Sequence, residues 1–272
     1  APYLLDGARR GYRMGHGHVI DSIIKYGLWD VYNDFHMGSA AEICAEKYSF
    51  SRAELDEYAI ESYKRAIEAQ KYHRFSDEIV QVEIEKGGEK IVVKEDEEPK
   101  RVKLEGLPSL KPAFKKEGKI TAGNSSHIND GAAALVVTSP AKASSLGIRP
   151  IARIIGYASS ALAPEWFTIA PVEAIKGVLK RAGLSIKDID LFEINEAFAA
   201  VSLAVNRELG LDPAKVNVKG GAIALGHPIG ASGARLLVTL LYALRDYNKR
   251  IGLASLCIGG GEAVAMIVER IA

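Results

Sequence analysis

The sequence predicts a layered α/β fold with a mixed β-sheet, preceded by a mostly helical region that carries a β-hairpin. From residue 131 onward, short apolar runs alternate with helix-like segments, which is typical of α/β domains. The last two apolar runs, 252–258 and 263–271, are separated only by Gly259 to Gly261. A connection this short permits only antiparallel pairing, so the predicted sheet contains both strand directions.

The first 128 residues favour helices. We expect helices at VIDSIIKYGL (19–28), at SAAEICAEKY (39–48) and from Arg52 to Tyr72. Ser51 and Glu54 form a capping box at the start of the third helix, where they satisfy free amide hydrogens of the first turn. Two alternating runs around Gly87 and Gly88 predict a hairpin with one solvated face. The charged run 95–101 is interpreted as a solvated loop.

The remaining residues alternate between strand and helix patterns. AAALVVTSP (132–140) is nearly all apolar and predicts a buried strand, with Ser139 and Pro140 capping a following helix. Five further strands and three helices are expected after it. The strands are PIARIIGYA (150–158), IDLFEIN (189–195), VNVKG (216–220) and the closing pair at 252–258 and 263–271; the helices are 171–183, 196–210 and 231–250.

Composition excludes several classes of protein. The 272 residues are 48% hydrophobic and 25% charged, with a formal net charge of +1. With so small a net charge, the protein as a whole is not attracted electrostatically to nucleic acid or to a membrane surface. Two cysteines are too few for a disulfide framework and lack the spacing of a zinc site. The sequence predicts a cytoplasmic protein without a signal peptide, a metal site or a redox cofactor.

Three polar residues fall where strands end or glycine-rich loops begin. Asn195 follows LFEI, His227 lies within GGAIALGHPIGASG, and Cys257 follows GLASL. In layered α/β domains such positions converge on one rim of the sheet, where side chains reach a ligand without disturbing the core. Glycines around His227 let the main chain approach a substrate closely. The sequence therefore predicts a site built from these three side chains.

Five segments resemble the motifs of the thiolase family, in the order in which that family has them. They are FHMGSAAE (35–42), TAGNSSHINDGAAA (121–134), NEAFAA (195–200), GGAIALGHPIGASGAR (220–235) and CIGGGEAVA (257–265). The resemblance runs from near residue 1 to residue 270. It implies a thiolase-like fold and an acyltransferase that uses coenzyme A thioesters.

The resemblance also implies catalytic roles. Cys257 is the expected acid/base cysteine, and His227 is expected to donate to the thioester oxygen and to help ionise a nucleophilic cysteine. Asn195 would hold the water that acts as the second donor, and the amide of Gly259 would serve a second oxyanion hole. These roles agree with the chemistry, because forming a carbanion at C2 of acetyl-CoA requires a base and donors at the developing enolate.

A pantetheine pocket is expected from the same resemblance. Its residues form an apolar slot with a few polar anchors; they are His36, Met37, Ser126, Ala197 and Phe198. His127 departs from the small residue that many thiolases have after this serine, which leaves the local pocket shape open. His16 and His18 are interpreted as part of a solvated turn, because no carboxylate or cysteine follows at ligand spacing.

The family layout predicts three domains: a coenzyme A-binding loop domain (1–128), a closing strand and helix (129–150) and a C-terminal thiolase domain (151–272). On this layout the chain is the C-terminal two-thirds of a thiolase and lacks the N-terminal half-domain with the acyl-carrying cysteine. Cys44 is expected to be a buried structural thiol. We therefore expect a partner segment in cis or as a separate chain, and 132–139 as a strand without its sheet.

The function expected from the resemblance is that of an acetyl-CoA C-acetyltransferase, which condenses two acetyl-CoA molecules to acetoacetyl-CoA and CoA or runs the reverse thiolysis. The truncated chain is expected to be inactive in acyl transfer. Alternatives are a degradative 3-ketoacyl-CoA thiolase of longer chain range, a non-catalytic CoA-binding or interaction protein and, less favoured, a β-ketoacyl synthase. Assembly as a homo-oligomer, a dimer or tetramer, is expected by family analogy alone.

Overall fold

The computed structural model describes residues 1–271. Its N-terminal part contains three two-stranded sheets and three helices. The sheets pair β1 (Tyr3–Leu5) with β2 (Val19–Asp21), β3 (Trp29–Asp30) with β4 (Phe35–His36), and β5 (Val82–Lys86) with β6 (Glu89–Val93), all antiparallel. The helices are α1 (Met37–Lys47), α2 (Arg52–Lys71) and α3 (Glu98–Arg101).

The C-terminal part is built on one four-stranded sheet, in the order β7-β10-β9-β8. Its strands are β7 (Ala152–Ala161), β8 (Leu191–Ile194), β9 (Ile251–Ile258) and β10 (Glu262–Arg270). β8 runs parallel to β9, whereas β10 is antiparallel to both β9 and β7. The predicted mixed sheet and layered α/β class are confirmed.

The α-helices that follow α3 in the chain are α4 (Pro140–Ser145), α5 (Ala170–Ala182), α6 (Ala199–Leu209), α7 (Ala222–Leu225) and α8 (Ser232–Asp246). Val178 of α5 and Leu253 of β9 belong to the larger core cluster, while Leu240 of α8 and Ala254 of β9 belong to a second one. Since successive residues of β9 point to opposite faces, α5 and α8 cover opposite faces of the sheet.

The main sequence signals at helix ends are confirmed. Ser51 Oγ accepts from the Glu54 amide at 3.1 Å, and the Glu54 carboxylate accepts from the Ser51 amide at 2.7 Å, so the predicted capping box forms at α2. Ser139 accepts from the Lys142 amide at the start of α4. α5 ends at Gly183, whose φ of 67° lies in the left-handed region that glycine adopts without a Cβ penalty.

Several sequence predictions are wrong in detail. Residues 19–28 form a short strand and a five-residue π-helix at Ile24–Leu28 instead of one α-helix. The helix expected at 196 begins at Ala199. Within the described chain 216–220 form no strand, and Val216 makes a single parallel bridge with Phe192. The β5–β6 hairpin is exposed on both faces, because every one of its ten strand residues is exposed.

The predicted buried strand at 132–140 is also wrong. In the described part of the chain, residues 131–139 form neither a strand nor a helix, and Val136 is 95% exposed. The apolar composition of this run predicted burial, but no neighbouring strand pairs with it among the described residues. The expectation of a strand without its sheet holds only for the lack of a partner strand among the described residues, because the segment itself does not form a strand. No helix of residues 1–271 is long and apolar enough to cross a membrane.

Candidate functional site

Asn195 and Cys257 lie on neighbouring strand ends. Ile194, the last residue of β8, pairs with Ser255 of β9, and the Asn195 amide donates to the Ser255 carbonyl at 2.9 Å. Cys257 lies two residues further along β9. Because β8 and β9 are parallel, their carboxyl ends meet at one edge of the sheet. The predicted convergence of these two residues is therefore observed.

His227 joins Asn195 through a direct contact. Nδ2 of Asn195 lies 3.2 Å from Nε2 of His227, and Nδ1 lies 2.6 Å from Oγ of Ser232. The backbone amide of His227 donates to the carbonyl of His127 at 2.9 Å. Both ring nitrogens and the backbone are thus held, which orients the imidazole toward the rim that carries Asn195.

Two proton arrangements fit these contacts. Ser232 Oγ lies 3.0 Å from the Pro228 carbonyl. If Ser232 donates to Pro228, it accepts from Nδ1–H of His227, and Asn195 Nδ2 donates to Nε2. If Ser232 donates to Nδ1 instead, the ring proton is on Nε2. A half-turn of the Asn195 amide then lets Oδ1, which has no hydrogen-bond partner among the described residues, accept it.

Burial keeps the His227 imidazole neutral. It lowers the pKa of His227 to about 4, and the nearby positive charge of Arg235 adds to the effect. At neutral pH the ring therefore offers one N–H donor and one acceptor. A neutral imidazole can donate to a developing oxyanion only through the nitrogen that carries the proton, so the choice of tautomer decides its chemistry.

Cys257 is a buried thiol. It is 8% exposed, and desolvation raises its pKa to about 12. Its strand neighbour across β10 is Ala263, a small apolar residue. At neutral pH Cys257 is therefore protonated, a state suited to donating a proton rather than to nucleophilic attack.

Met37 brings the first helix to the turn after Cys257. Gly259 lies between β9 and β10, and a Cβ built on it would lie 2.9 Å from Cε of Met37. Met37 is the first residue of α1 and is buried. Two residues that sequence reasoning placed in separate parts of the site, Met37 and Gly259, are therefore neighbours.

The remaining predicted pocket residues form an aromatic and polar wall. The rings of His36 and Phe114 stack with centroids 4.8 Å apart, and Phe114 meets Phe198 edge-on at 6.1 Å. Both the amide and the hydroxyl of Ser126 donate to the Ala197 carbonyl at 3.0 Å. Burial lowers the pKa of His36, whose Nδ1 accepts from the Gly38 amide.

Sequence reasoning missed three residues that shape the site. Ser232 orients His227, Phe114 stacks on His36, and the carboxylate of Glu196 lies buried next to Asn195. Ser232 and Glu196 both lie inside quoted motifs, so their position was a signal that went unused. Phe114 lies in KPAFKKEG, which has no pattern that points to a site.

No cluster of three histidine, cysteine, aspartate or glutamate side chains suited to a metal ion occurs in residues 1–271.

Family models match both parts of the chain. The model of the thiolase N-terminal domain matches residues 1–141, and that of the thiolase C-terminal domain matches residues 148–270. The chain belongs to the thiolase family. An acetyl-CoA acetyltransferase of Pseudomonas aeruginosa is 52% identical over 272 residues, which cover 99% of this chain and 69% of that protein.

Other thiolase relatives agree. A probable acetyl-CoA acyltransferase of Staphylococcus aureus is 53% identical, again with 99% of this chain and 69% of that protein covered. The crystal structure of a Bacillus anthracis acetyl-CoA acetyltransferase matches the whole chain and 69% of its own length, with a TM-score of 0.96 and 43% identity. The thiolase-like fold expected from the motifs is confirmed.

One expectation from the family layout needs correction. The chain was expected to be a C-terminal part without the N-terminal half-domain, but the N-terminal family model matches residues 1–141. The chain therefore carries residues of both thiolase domains. The finer division at residues 128 and 150 stays a prediction.

Proposed function

We propose that this chain acts on acetyl-CoA and acetoacetyl-CoA by thiolase chemistry, as an acetyl-CoA C-acetyltransferase. The observation that carries the proposal is the meeting of Asn195, His227 and Cys257 at one sheet edge, with Asn195 and His227 in direct contact. Two of the similar proteins are acetyl-CoA acetyltransferases, which supports acetyl-CoA as a substrate. CoA thioesters serve as substrates, and no metal or redox cofactor is required.

The proposed step is the formation and use of an enolate. Removing a C2 proton of acetyl-CoA moves negative charge to the thioester oxygen, which needs donors placed in advance. Nε2–H of His227 supplies one donor when Ser232 donates to Nδ1. Asn195 supplies the second donor, directly or through a water. Removing one such donor typically lowers kcat by about 100- to 1,000-fold.

Cys257 has the proton-transfer role in this proposal. Its raised pKa means that the resting thiol must give up its proton before it can take one from C2. In acyl transfer the thiolate of departing CoA would take this proton, and in proton exchange alone the solvent would take it. The adjacent amide of Gly259 would donate to the carbonyl of the other acyl group.

Neither cysteine of the chain has surroundings that suit an acyl-carrying nucleophile. Cys44 is fully buried in α1, with Sγ 3.7 Å from the carbonyl of Ala200, and burial raises its pKa to about 11. This confirms the expectation of a buried thiol. The proposal therefore assigns the enolate half of the reaction to the described residues and makes no use of Cys44.

The pantetheine arm of CoA would lie along the wall of His36, Met37, Ser126, Ala197 and Phe198. Small residues in this set leave room for a narrow chain, and Ser126 offers a polar anchor. His127, next to Ser126, has its Nδ1 3.2 Å from the Ile223 carbonyl, so its side chain faces α7. This contact supports a slot that His127 borders without filling.

The test measures two reactions of the same chain. The first is exchange of the C2 protons of acetyl-CoA with D2O, followed by mass spectrometry, and the second is thiolysis of acetoacetyl-CoA. We expect exchange that is lost in Cys257→Ala and retained in Cys44→Ala. Exchange that survives Cys257→Ala would refute the assigned base. Thiolysis that depends on Cys44 would refute the assignment of Cys44 as structural.

The preferred length of the acyl chain distinguishes the proposed function from a second candidate. In a degradative 3-ketoacyl-CoA thiolase, kcat/KM would rise with acyl length, whereas the proposal predicts a maximum at acetoacetyl-CoA. A non-catalytic CoA-binding protein would bind CoA without either reaction. The homo-oligomeric assembly and the cytoplasmic location stay predictions.

A further inference from the structure

Glu196 directly follows Asn195 in the chain, and its side chain is 1% exposed. Its carboxylate accepts four hydrogen bonds. Oε1 accepts from the Tyr58 hydroxyl at 3.0 Å and from Asn217 Nδ2 at 2.9 Å; Oε2 accepts from the Ser62 hydroxyl at 2.7 Å and from the Ile223 amide at 3.1 Å. Both oxygens of this buried carboxylate are therefore fully paired with donors.

One branch of this network reaches the residue before Asn195. Asn217 donates through the same Nδ2 to the Ile194 carbonyl at 2.8 Å, and its Oδ1 accepts from the Ile194 amide at 2.8 Å. Both polar groups of Ile194 are thus fixed to a side chain that Glu196 holds. Because Asn195 lies between Ile194 and Glu196 in the chain, its backbone is clamped on both sides.

The other branch reaches the segment before His227. Ile223 lies in the four-residue helix α7, which ends two residues before His227, and its amide points at Oε2 of Glu196. Ser62 donates to Glu196 and also accepts from the Gly221 amide at 3.0 Å. A Cβ on Gly221 would lie 2.3 to 2.5 Å from the Glu196 carboxylate, so the main chain packs directly on the charge.

We propose that Glu196 is a positioning residue for the proposed reaction, because its carboxylate ties the backbone of Asn195 to α7 and thereby sets the distance between Asn195 and His227. It touches neither reacting atoms nor substrate. The inference deepens the proposed function, on which it rests, by naming the group that aligns the two enolate donors. Misplacing such donors by about 1 Å can lower a rate by about 100-fold.

The negative charge of Glu196, rather than its shape, is what the network needs. Each carboxylate oxygen faces one hydroxyl, which can turn, and one N–H that cannot. The fixed donors are Asn217 Nδ2, which is also bound to Ile194, and the Ile223 amide. In Glu196→Gln the new NH2 group must face one of these two N–H donors. An isosteric substitution therefore breaks one branch or the other.

Charge on Glu196 also affects its neighbour in α2. Burial, and then the charge of Glu196, raise the pKa of Tyr58 well above its usual range, so this phenol stays a donor. Removing its hydroxyl in Tyr58→Phe leaves both fixed N–H donors paired with the carboxylate. This variant is the matched control, because it loses one hydrogen bond to Glu196 while Asn195 and α7 stay aligned.

The experiment compares the intact chain with Glu196→Gln, Tyr58→Phe and Val178→Ala, all below the onset of unfolding. Val178 is buried in α5, and its side chain faces Gly156 of β7, the edge strand farthest from β8, so its truncation reports on a loss of stability alone. The first readout is the 15N NMR signal of the His227 ring, assigned through His227→Gln. The second is the acetyl-CoA proton-exchange rate as a function of substrate concentration.

We expect Glu196→Gln to shift the His227 ring resonances and to lower the maximal exchange rate by about 10- to 100-fold, with KM changed less than about threefold. Val178→Ala should leave the ring signals unchanged, and Tyr58→Phe should change the rate by less than about threefold. Wild-type ring signals and rate in Glu196→Gln would overturn the inference. If the wild-type chain shows no exchange, the proposed function fails, and the NMR comparison still decides the inference.

Discussion

Ser232 Oγ lies 2.6 Å from Nδ1 of His227, and this contact links the tautomer of the imidazole to the first turn of α8. Ser232 is fully buried and its hydroxyl has one proton, which goes either to the Pro228 carbonyl or to Nδ1. A donor role for Nε2 requires the second arrangement. Ser232 therefore decides whether His227 can stabilise an enolate oxygen.

Replacing Ser232 by alanine tests this link. Ser232→Ala removes the donor to Nδ1 and leaves a buried ring nitrogen without a partner, which should lower the unfolding free energy by about 1 to 3 kcal/mol. Because alanine can neither donate to Nδ1 nor accept from it, we expect 15N NMR spectra to show a mixture of the two tautomers and the acetyl-CoA exchange rate to fall. Retained Nε2–H signals and an unchanged rate in the variant would show that Ser232 does not control the tautomer.

Acid should destabilise the protein through His227. Its pKa in the folded state is lowered to about 4 from the ordinary 6.5. Between these values the unfolded chain binds more protons, so the free energy of unfolding falls as the pH falls from about 7 toward 4. This group alone should cost about 2 kcal/mol between pH 7 and pH 5.

The measurement is urea unfolding at pH 7 and pH 5 for the intact chain and for His227→Gln. We expect a smaller acid-induced loss in the variant, because glutamine does not titrate. Equal losses in both proteins would mean that His227 is not the group responsible. Val178→Ala removes no titrating group and serves as the control. Like His227→Gln, it begins from a reduced unfolding free energy at pH 7.

The three family motifs that supply the polar side chains of the site could be recognised in the sequence, but the residues that support those side chains could not. Asn195, His227 and Cys257 follow strand-like or glycine-rich patterns, and parallel strand ends bring two of them to one edge. Asn217 lies between two valines and Glu196 between Asn195 and Ala197, and sequence patterns do not reveal whether such a polar side chain is buried. Their role depends on α2, more than 130 residues earlier in the chain.

The same limit explains the errors in the fold. Local signals gave the ends of α2 and α5 correctly, because capping contacts involve residues close in sequence. The apolar runs at 132–137 and 216–218 have the composition of strands, yet strand formation needs a partner elsewhere in the chain. Residues 131–139 find none in the described structure, and Val216 finds one bridge.

Raising the pH should destabilise the folded protein through Glu193. It is buried in β8 with its carboxylate 3.7 Å from Nη1 of Arg235, and neither oxygen has a hydrogen-bond partner among the described residues. Burial raises its pKa to about 8 despite the positive charge of Arg235. The folded state therefore binds more protons than the unfolded chain between pH 4.5 and about 8, and the unfolding free energy falls as the pH rises through that window.

Glu193→Gln removes this dependence. We expect the stability of the variant relative to the intact chain to increase between pH 5 and pH 8, by about 3 kcal/mol. Urea unfolding at three pH values measures the difference. A relative stability that stays constant with pH would show that the Glu193 carboxyl titrates as it does in the unfolded chain.

Met37 and Gly259 should be energetically coupled. Gly259→Ala places a Cβ 2.9 Å from the flexible end of Met37, which should cost about 1 to 3 kcal/mol through overpacking. Met37→Ala removes the clash, so the double variant should be less destabilised than the sum of the two single variants by about 1 kcal/mol. Thermal unfolding of all four proteins measures the coupling, and strict additivity would contradict the contact.

The exposed segment at 135–137 should promote self-association without contributing to stability. Val136 is 95% and Val137 is 73% exposed, so both apolar side chains face solvent in the described chain. A run of exposed β-branched residues favours pairing between chains. We expect Val136→Lys to change the unfolding free energy by less than about 0.5 kcal/mol and to lower light scattering at high protein concentration. Val178→Ala, which also replaces a valine but at a buried position, should instead lower the unfolding free energy. If Val136→Lys instead destabilises the protein as much as the buried change does, the segment packs against the folded chain, and its exposure cannot be the cause of association.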